Sequence, residues 1–309
     1  MEKLIPVVIP VFGREDVFAT VERLRAQAYA SQLRFVVIDN GNAAELSGRL
    51  AALADVDCHV MRFNENRGGS AAYIAGMEYA RKNYPESPYV WLLDDDATPN
   101  AQTLPALVET MERLQKDGEK VASVGSTMVD KADPDRIIEC GAEFVILLGQ
   151  MFAHLRSRRL QNVGIRTLRV GYAAAFSLLV NVRAVEACGF WEDVFIHLDD
   201  IEWGLRVSKA GWRNYATTAS TVVHPKDGSN KAKAWVCYFD SRNLLWLAAK
   251  HGPVYVLAAK VRDFVRNLRG RLTNHNPECI PYRKLAHADF KAGIRRTRAE
   301  VIAAIAGKA

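Results

Sequence analysis

The sequence predicts an α/β protein built on an open, mixed but mostly parallel sheet flanked by helices, with a C-terminal helical extension. Three observations carry this. Short, nearly continuous apolar runs at 4–12, 35–38, 58–63, 89–93 and 121–124 suit strands buried on both faces. Helical patterns near 16–30, 70–83 and 102–117 lie between them, and such alternation builds a parallel sheet through right-handed crossovers. Beyond Gly228 the chain reads as helices only, over 231–250, 254–272 and 283–306.

Each early strand ends in a polar cluster: residues 13–16, 39–42, 64–70 and 94–96. Open α/β sheets bind ligands beyond the carboxyl ends of their strands, so the four clusters are expected to converge on one cleft. Residues 137–181 break the alternation; EFVILLG and RVGYAAAFSLLVN read as further strands on a mixed or antiparallel edge. A helix is expected over 197–211, stopping at Gly211, and a short strand over 221–224.

The 309 residues are 49% hydrophobic and 25% charged, as in an ordinary globular chain. No apolar run approaches ~20 residues, so no spanning helix is expected. The start, MEKLIPVVIPVF, enters a strand without a basic-then-apolar leader, so the chain is expected to begin near Met1 with no secretory signal. Five scattered cysteines (58, 140, 188, 237 and 279) fit neither a disulfide framework nor a zinc site, and read as reduced thiols in a cytoplasm. Residues 1–228 carry 25 Lys and Arg against 30 Asp and Glu, a net of −5, whereas 229–309 carry 16 against 5, a net of +11. Two regions are therefore expected, 1–228 and 229–309, the second with its own anionic partner.

Four motifs bear chemistry. In LLDDDATPN, three carboxylates at the end of an apolar strand repel one another, and a divalent cation relieves that cost. The other reading is a solvated turn capped by Asp96 or Thr98. In FNENRGGSAAYIAGM, Gly68 and Gly69 admit close backbone approach, and Ser70 opens a helix whose free N–H groups suit an anion or sugar hydroxyls. The spacing matches neither GxGxxG nor a P-loop, and a plain glycine turn before a packed helix is the alternative. In FIHLDDIEWGLRVSKAGW, Asp199 and Asp200 stand at a helix start, as caps or as a general base, with Glu202 and Arg206 paired four apart. In TVVHPKDGS, His224 ends a strand, as a structural imidazole or as a ligand if it meets Asp96.

Together, and in this order, the motifs resemble the inverting family 2 nucleotide-sugar glycosyltransferases of GT-A fold, over residues 4–228. VVIPVFGRED looks like the opening strand and loop, VVIDNGN like the second strand with its base-binding aspartate, LLDDDA like the metal-binding DXD element, and HLDDIEWGLR like the motif holding the catalytic base. The Asn-x-Gly-Gly-Ser loop, triple aspartate, Asp-Asp-x-acid helix and later His are most similar to bacterial galactofuranosyltransferases, with rhamnosyltransferases close by. Ala71 and Ala72 depart from glycines, and Leu198 from a tryptophan, at the sugar-binding wall. The resemblance implies that Pro10, Phe12, Arg14, Asp39, Asn66, Arg67, Gly69, Ser70, Asp94 and Asp95 bind the donor. It implies that Asp96, His224 and Asp94 form the site of a Mn²⁺ or Mg²⁺ ion, and that Asp200 is the base with Asp199 beside it. The implied reaction moves a sugar, from UDP-galactofuranose or alternatively dTDP-rhamnose, to a lipid-linked bacterial cell-surface glycan.

In the tail, Leu257, Val261, Phe264, Val265, Leu268 and Leu272 recur at helical spacing, with Lys260, Arg262, Arg266, Arg269 and Arg271 around them. Arg283, Lys284, Lys291, Arg295, Arg296 and Arg298 continue the charge. A basic amphipathic helix suits an anionic membrane surface; a helical cap or a homo-oligomer contact is the alternative. Two other classes fit poorly. A nucleotidyltransferase needs a Gly- and Lys-rich loop after the first strand, where GREDVFAT stands. A nucleic-acid-binding module needs aromatics interleaved with its cations.

Overall fold

The computed structural model describes residues 4–224 and 234–307. The boundary expected at 228/229 and the start of the helix expected from 231 lie outside them. The first half alternates as expected: β1 (Ile5–Val11), α1 (Asp16–Arg25), β2 (Leu33–Asn40), α2 (Ala44–Ala51), β3 (Cys58–Phe63), α3 (Gly68–Asn83), β4 (Tyr89–Leu93), β5 (Thr98–Pro99), α4 (Thr103–Lys116) and β6 (Val121–Val129). Then follow β7 (Ile137–Glu139), β8 (Ala142–Val145), β9 (Gln150–Ala153), α5 (Leu160–Val163), β10 (Thr167–Val170), β11 (Ser177–Asn181), α6 (Val182–Cys188), α7 (Asp199–Lys209) and β12 (Arg213–Val223). Four helices close the chain: α8 (Val236–His251), α9 (Pro253–Thr273), α10 (Cys279–Ala292) and α11 (Arg298–Ala306).

Two compact units result. The larger falls within 1–143, 153–192 and 200–226 and contains a sheet ordered β10-β12-β6-β11-β4-β1-β2-β3, with β5 on β12 and β7 on β6. Strands β1 to β4 run parallel, whereas β11 lies antiparallel between β4 and β6. Both faces are covered. One core contains Val7, Ile9, Phe35, Trp91 and Leu107 of α4; the other contains Val8, Val36, Leu92 and Met77 of α3. Helix α3 packs so closely that a Cβ on Gly76 would lie 2.2 Å from Val8 Cγ1. The smaller unit falls within 144–152, 193–199 and 227–309; Tyr238 and Phe239 of α8 pack there with Leu285, Ala286 and Val301.

Several sequence expectations need correction. EFVILLG is a strand only to Val145; 146–149 form the turn of the β8–β9 hairpin, with Gly149 at φ 56°. RVGYAAAFSLLVN divides into the end of β10 and all of β11. The strand expected over 221–224 is the end of eleven-residue β12, whose earlier part is too rich in Thr, Ser and Asn to show as an apolar run. The helix expected over 283–306 is two, broken where Gly293 takes φ 70°. Cys237 and Cys279 are not thiols but a disulfide joining α8 to α10. Their separation of 42 residues leaves no local spacing signal; the packing of the two helices brings them together.

Candidate active site

The site forms where the carboxyl ends of β1, β2 and β4 meet the end of β12. After β4 the chain turns at Asp94–Asp96, and β5 then pairs antiparallel with the end of β12, Val223 opposite Thr98. That pairing delivers His224 to the triplet across 130 residues of sequence. His224 Nε2 lies 3.2 Å from Asp94 Oδ2 and 3.0 Å from Asp96 Oδ1. One ligand atom from each of the three residues falls within 4.8 Å of the others.

The electrostatics are tight. Asp96 is 7% exposed; its Oδ2 accepts from Arg14, while its buried Oδ1 has no hydrogen-bond partner among the described residues and faces the imidazole. Burial raises the Asp94 carboxyl, but His224, Tyr73 and Arg14 outweigh it and hold the group below the usual carboxylate range. Tyr73 donates its hydroxyl to Asp94 Oδ1 at 2.7 Å. Asp95 shows the opposite balance: burial first, then the Asp94 charge, push it up to about 7. Thr20 holds the turn by donating to the Asp95 and Ala97 carbonyls. Two carboxylates and an imidazole with ligand atoms within 4.8 Å of one another form a donor set that suits a divalent cation.

The donor-side residues divide by what they touch. Asp39 is buried; its Oδ1 accepts both the backbone N–H (3.0 Å) and the side-chain amide (2.7 Å) of Asn42, and its Oδ2 lies 3.5 Å from Arg62 Nε. Asn42 also accepts from Gly13 N and donates to the Val11 carbonyl, tying together the loops after β1 and β2. Pro10 lies at the end of β1, and Phe12 just beyond it is 39% exposed. Asn66 accepts from Gly68 N, and Arg67 lies over the Phe63 ring at 4.8 Å. Asn40 brackets that loop by accepting from Arg67 N and donating to the Gly68 carbonyl. Gly41 has to be glycine: its φ is 74°, and a Cβ would fall 2.2 Å from the Glu65 carbonyl carbon. Gly69 opens onto free space, and Ser70 is buried in the first turn of α3.

Asp200 lies in the first turn of α7, its Oδ1 accepting from Ile201 N at 2.7 Å. Burial raises the nearby Tyr172 hydroxyl, and the Asp200 charge adds to the shift. The expected Glu202–Arg206 pair is present at 3.0 Å, and Arg206 also donates to the Cys188 and Phe190 carbonyls, anchoring α7. Asp199 belongs to the segment 193–199 of the smaller unit. There Phe195, His197 and Leu198 take left-handed φ values of 72°, 65° and 67°, which side-chain-bearing residues rarely hold. Asn243 of α8 donates to the carbonyls of Val194, Ile196 and His197, and His197 Nδ1 lies 2.7 Å from Asp240 Oδ1. Sequence reasoning missed Tyr73, Asn40, Asn42 and Asn243. Asn40 and Asn42 lie in the polar cluster 39–42 and Tyr73 in the FNENRGGSAAYIAGM motif, both already marked, whereas Asn243 lies in no motif.

The family model "Glycosyl transferase family 2" matches residues 7–174, more than half of the chain. The chain belongs to glycosyl transferase family 2. This family member is 24% identical to "Galactofuranosyltransferase GlfT2" of Mycobacterium tuberculosis (strain ATCC 25618 / H37Rv), over 94% of this chain and 48% of that protein. It therefore spans about half the length of that relative. Among solved structures it is similar to "Mannosyltransferase PcManGT from Pyrobaculum calidifontis in complex with GDP-Man and Mn2+", with TM-score 0.53, 16% identity, and coverage of 99% and 80%. It is also similar to "GalNAc-T7 with UDP, GalNAc and Mn2+", with TM-score 0.57, 13% identity, and coverage of 89% and 58%. These neighbours place the family 2 member in the GT-A fold, and its family membership makes it a glycosyltransferase.

Proposed function

We propose that this glycosyltransferase moves a sugar, galactofuranose from UDP-galactofuranose, with inversion to a hydroxyl of a growing lipid-linked bacterial cell-surface glycan. The observation that carries the reading is the Asp94–Asp96–His224 cluster at the carboxyl end of the sheet. Asp94, Asp96 and His224 would hold Mn²⁺ or Mg²⁺, and the imidazole in the set favours Mn²⁺. Such a cation supplies charge neutralisation for a departing diphosphate. Arg14 and Arg67 add cationic groups on the diphosphate side, and the Gly69–Ser70 backbone at the start of α3 suits donor oxygens. Asp39 receives the nucleobase through Oδ2, beside the wall of Pro10 and Phe12. Asn66 fixes the loop, and buried Asp95 fixes the turn.

Asp200 takes the proton of the acceptor hydroxyl as that oxygen bonds to the anomeric carbon. The bond to the nucleoside diphosphate breaks on the opposite face, so one displacement inverts the centre. Asp199 orients the base or the acceptor. The named relative supports galactofuranose as the sugar. The test is a panel of UDP- and dTDP-sugars assayed for donor hydrolysis and for thermal stabilisation. Turnover of UDP-galactofuranose above the others supports the reading; turnover of dTDP-rhamnose alone moves the chain to the rhamnosyl reading.

A further inference from the structure

Of the 17 large apolar residues exposed among the described residues, 14 lie in the smaller unit, and seven of these are on α9 alone. Val254, Leu257, Val261, Phe264, Leu268 and Leu272 are between 45% and 75% exposed. At 3.6 residues per turn they and Val265 form one stripe about 100° wide. Ala259, Asp263 and Gly270, on the opposite side of α9, are its buried residues. The stripe thus points away from the core of its own unit. Lys260 and Arg271 follow one edge and Arg269 the other, all exposed.

A cavity of about 320 Å³ opens beside the Lys260 edge, with Arg283, Lys284 and His287 of α10 in its wall and Phe264 at its border with the stripe. Its one carboxylate, Asp263, is 1% exposed and paired to His287 at 2.9 Å, so Lys260, Arg283 and Lys284 dominate its charge. We propose that α9 docks the protein on an anionic lipid bilayer, with the stripe among the acyl chains and the cavity at the height of the lipid phosphates. No helix among the described residues is long and apolar enough to cross a membrane, so this contact lies in the interface plane. A second copy fits the face poorly. A self-complementary contact sets the cationic edges against one another, and α9 has no exposed acid to answer them. The inference is independent of the donor chemistry.

The experiment is co-sedimentation of the full chain with vesicles of phosphatidylcholine alone and of phosphatidylcholine mixed with phosphatidylglycerol. The wild type should partition onto the mixed vesicles and only weakly onto the neutral ones. Reversing three edge cations, Lys260→Glu, Arg269→Glu and Arg271→Glu, should cut partitioning onto mixed vesicles by at least about 100-fold. Phe264→Ser with Leu268→Ser should abolish it; all five sites are exposed, and unchanged melting temperatures verify the fold. Wild-type protein left in the supernatant with mixed vesicles overturns the proposal. So does equal binding of wild type and charge-reversed variant. A lipid-free dimer that Phe264→Ser with Leu268→Ser dissociates would assign the face to a second copy instead.

Discussion

The segment before the Asp199–Asp200 pair is held chiefly by the Asn243 amide, with Arg242 donating to the Val194 carbonyl and Asp240 beside His197, which makes Asn243→Leu a sharp perturbation. The substitution keeps shape and burial but removes the amide that donates to Val194, Ile196 and His197 at 3.1, 2.7 and 2.9 Å. Two N–H hydrogens serve those three carbonyls, and the Oδ1 that accepts from Arg242 is lost with them, so the loss is about 3 kcal/mol at about 1 kcal/mol per net hydrogen bond. Phe195, His197 and Leu198 hold left-handed φ values only while neighbouring groups fix the segment, so its backbone is freer to move once the clamp is gone. Differential scanning calorimetry should show a melting temperature roughly 5–10 °C lower. Relaxation shifts the backbone leading into α7, and a misplacement near 1 Å costs on the order of 100-fold in turnover. Donor affinity should hold, because Asp39, Asp94, Asp96 and His224 are positioned by other strands. Wild-type turnover in a variant that has lost the expected stability would refute the link between clamp and base.

Three further outcomes follow from the geometry. Asp200→Asn keeps the cap to Ile201 but accepts no proton, so turnover should fall roughly 100-fold or more while UDP binding by calorimetry survives; a normal Asp200→Asn beside a dead Asp199→Asn would reverse the pair. Because the folded Asp95 carboxyl is pushed up to about 7 from 3.8, it keeps its proton where the unfolded chain has lost it, and its contribution to stability is lost as pH rises from about 4 to 7. Asp95→Asn should therefore raise the melting temperature of EDTA-treated protein more at pH 8 than at pH 4, and equal shifts would contradict the balance described. Thiol counting in denaturant without reductant should find three thiols, Cys58, Cys140 and Cys188. In the native protein Cys188 should react first, since burial pushes Cys58 up to about 12 and also raises Cys140; five thiols would refute the Cys237–Cys279 bond.

The parallel half of the sheet was legible because strands buried on both faces must be almost continuously apolar, as IPVVIPV and YVWLL are. Strand β12 was hidden because its interior packs hydroxyls: Thr217 and Ser220 are fully buried, and Ser220 is hydrogen-bonded to Ser126 of β6 and to the Thr103 carbonyl of α4. The acidic triplet was readable as chemistry, since charge at the end of a buried strand calls for compensation. His224 was legible as a ligand only on the condition that it meet Asp96, and spacing could not show that meeting, because it depends on two-residue β5 beside the triplet pairing with the distant end of β12. Asn243 bears no motif; its role lies in the backbone it holds. In α9 the periodicity was plain, but not its direction, because spacing alone does not tell an inward stripe from an outward one.

The central claim is that Asp94, Asp96 and His224 form a cation site on which sugar transfer depends. Its most direct test is nucleotide-sugar turnover by the wild type and Asp96→Ala, in excess EDTA and then across a Mn²⁺ titration. Wild-type turnover should vanish in EDTA and return with Mn²⁺, whereas Asp96→Ala should stay inactive at every concentration and lose metal-dependent stabilisation by UDP. Undiminished wild-type turnover in EDTA would contradict the account.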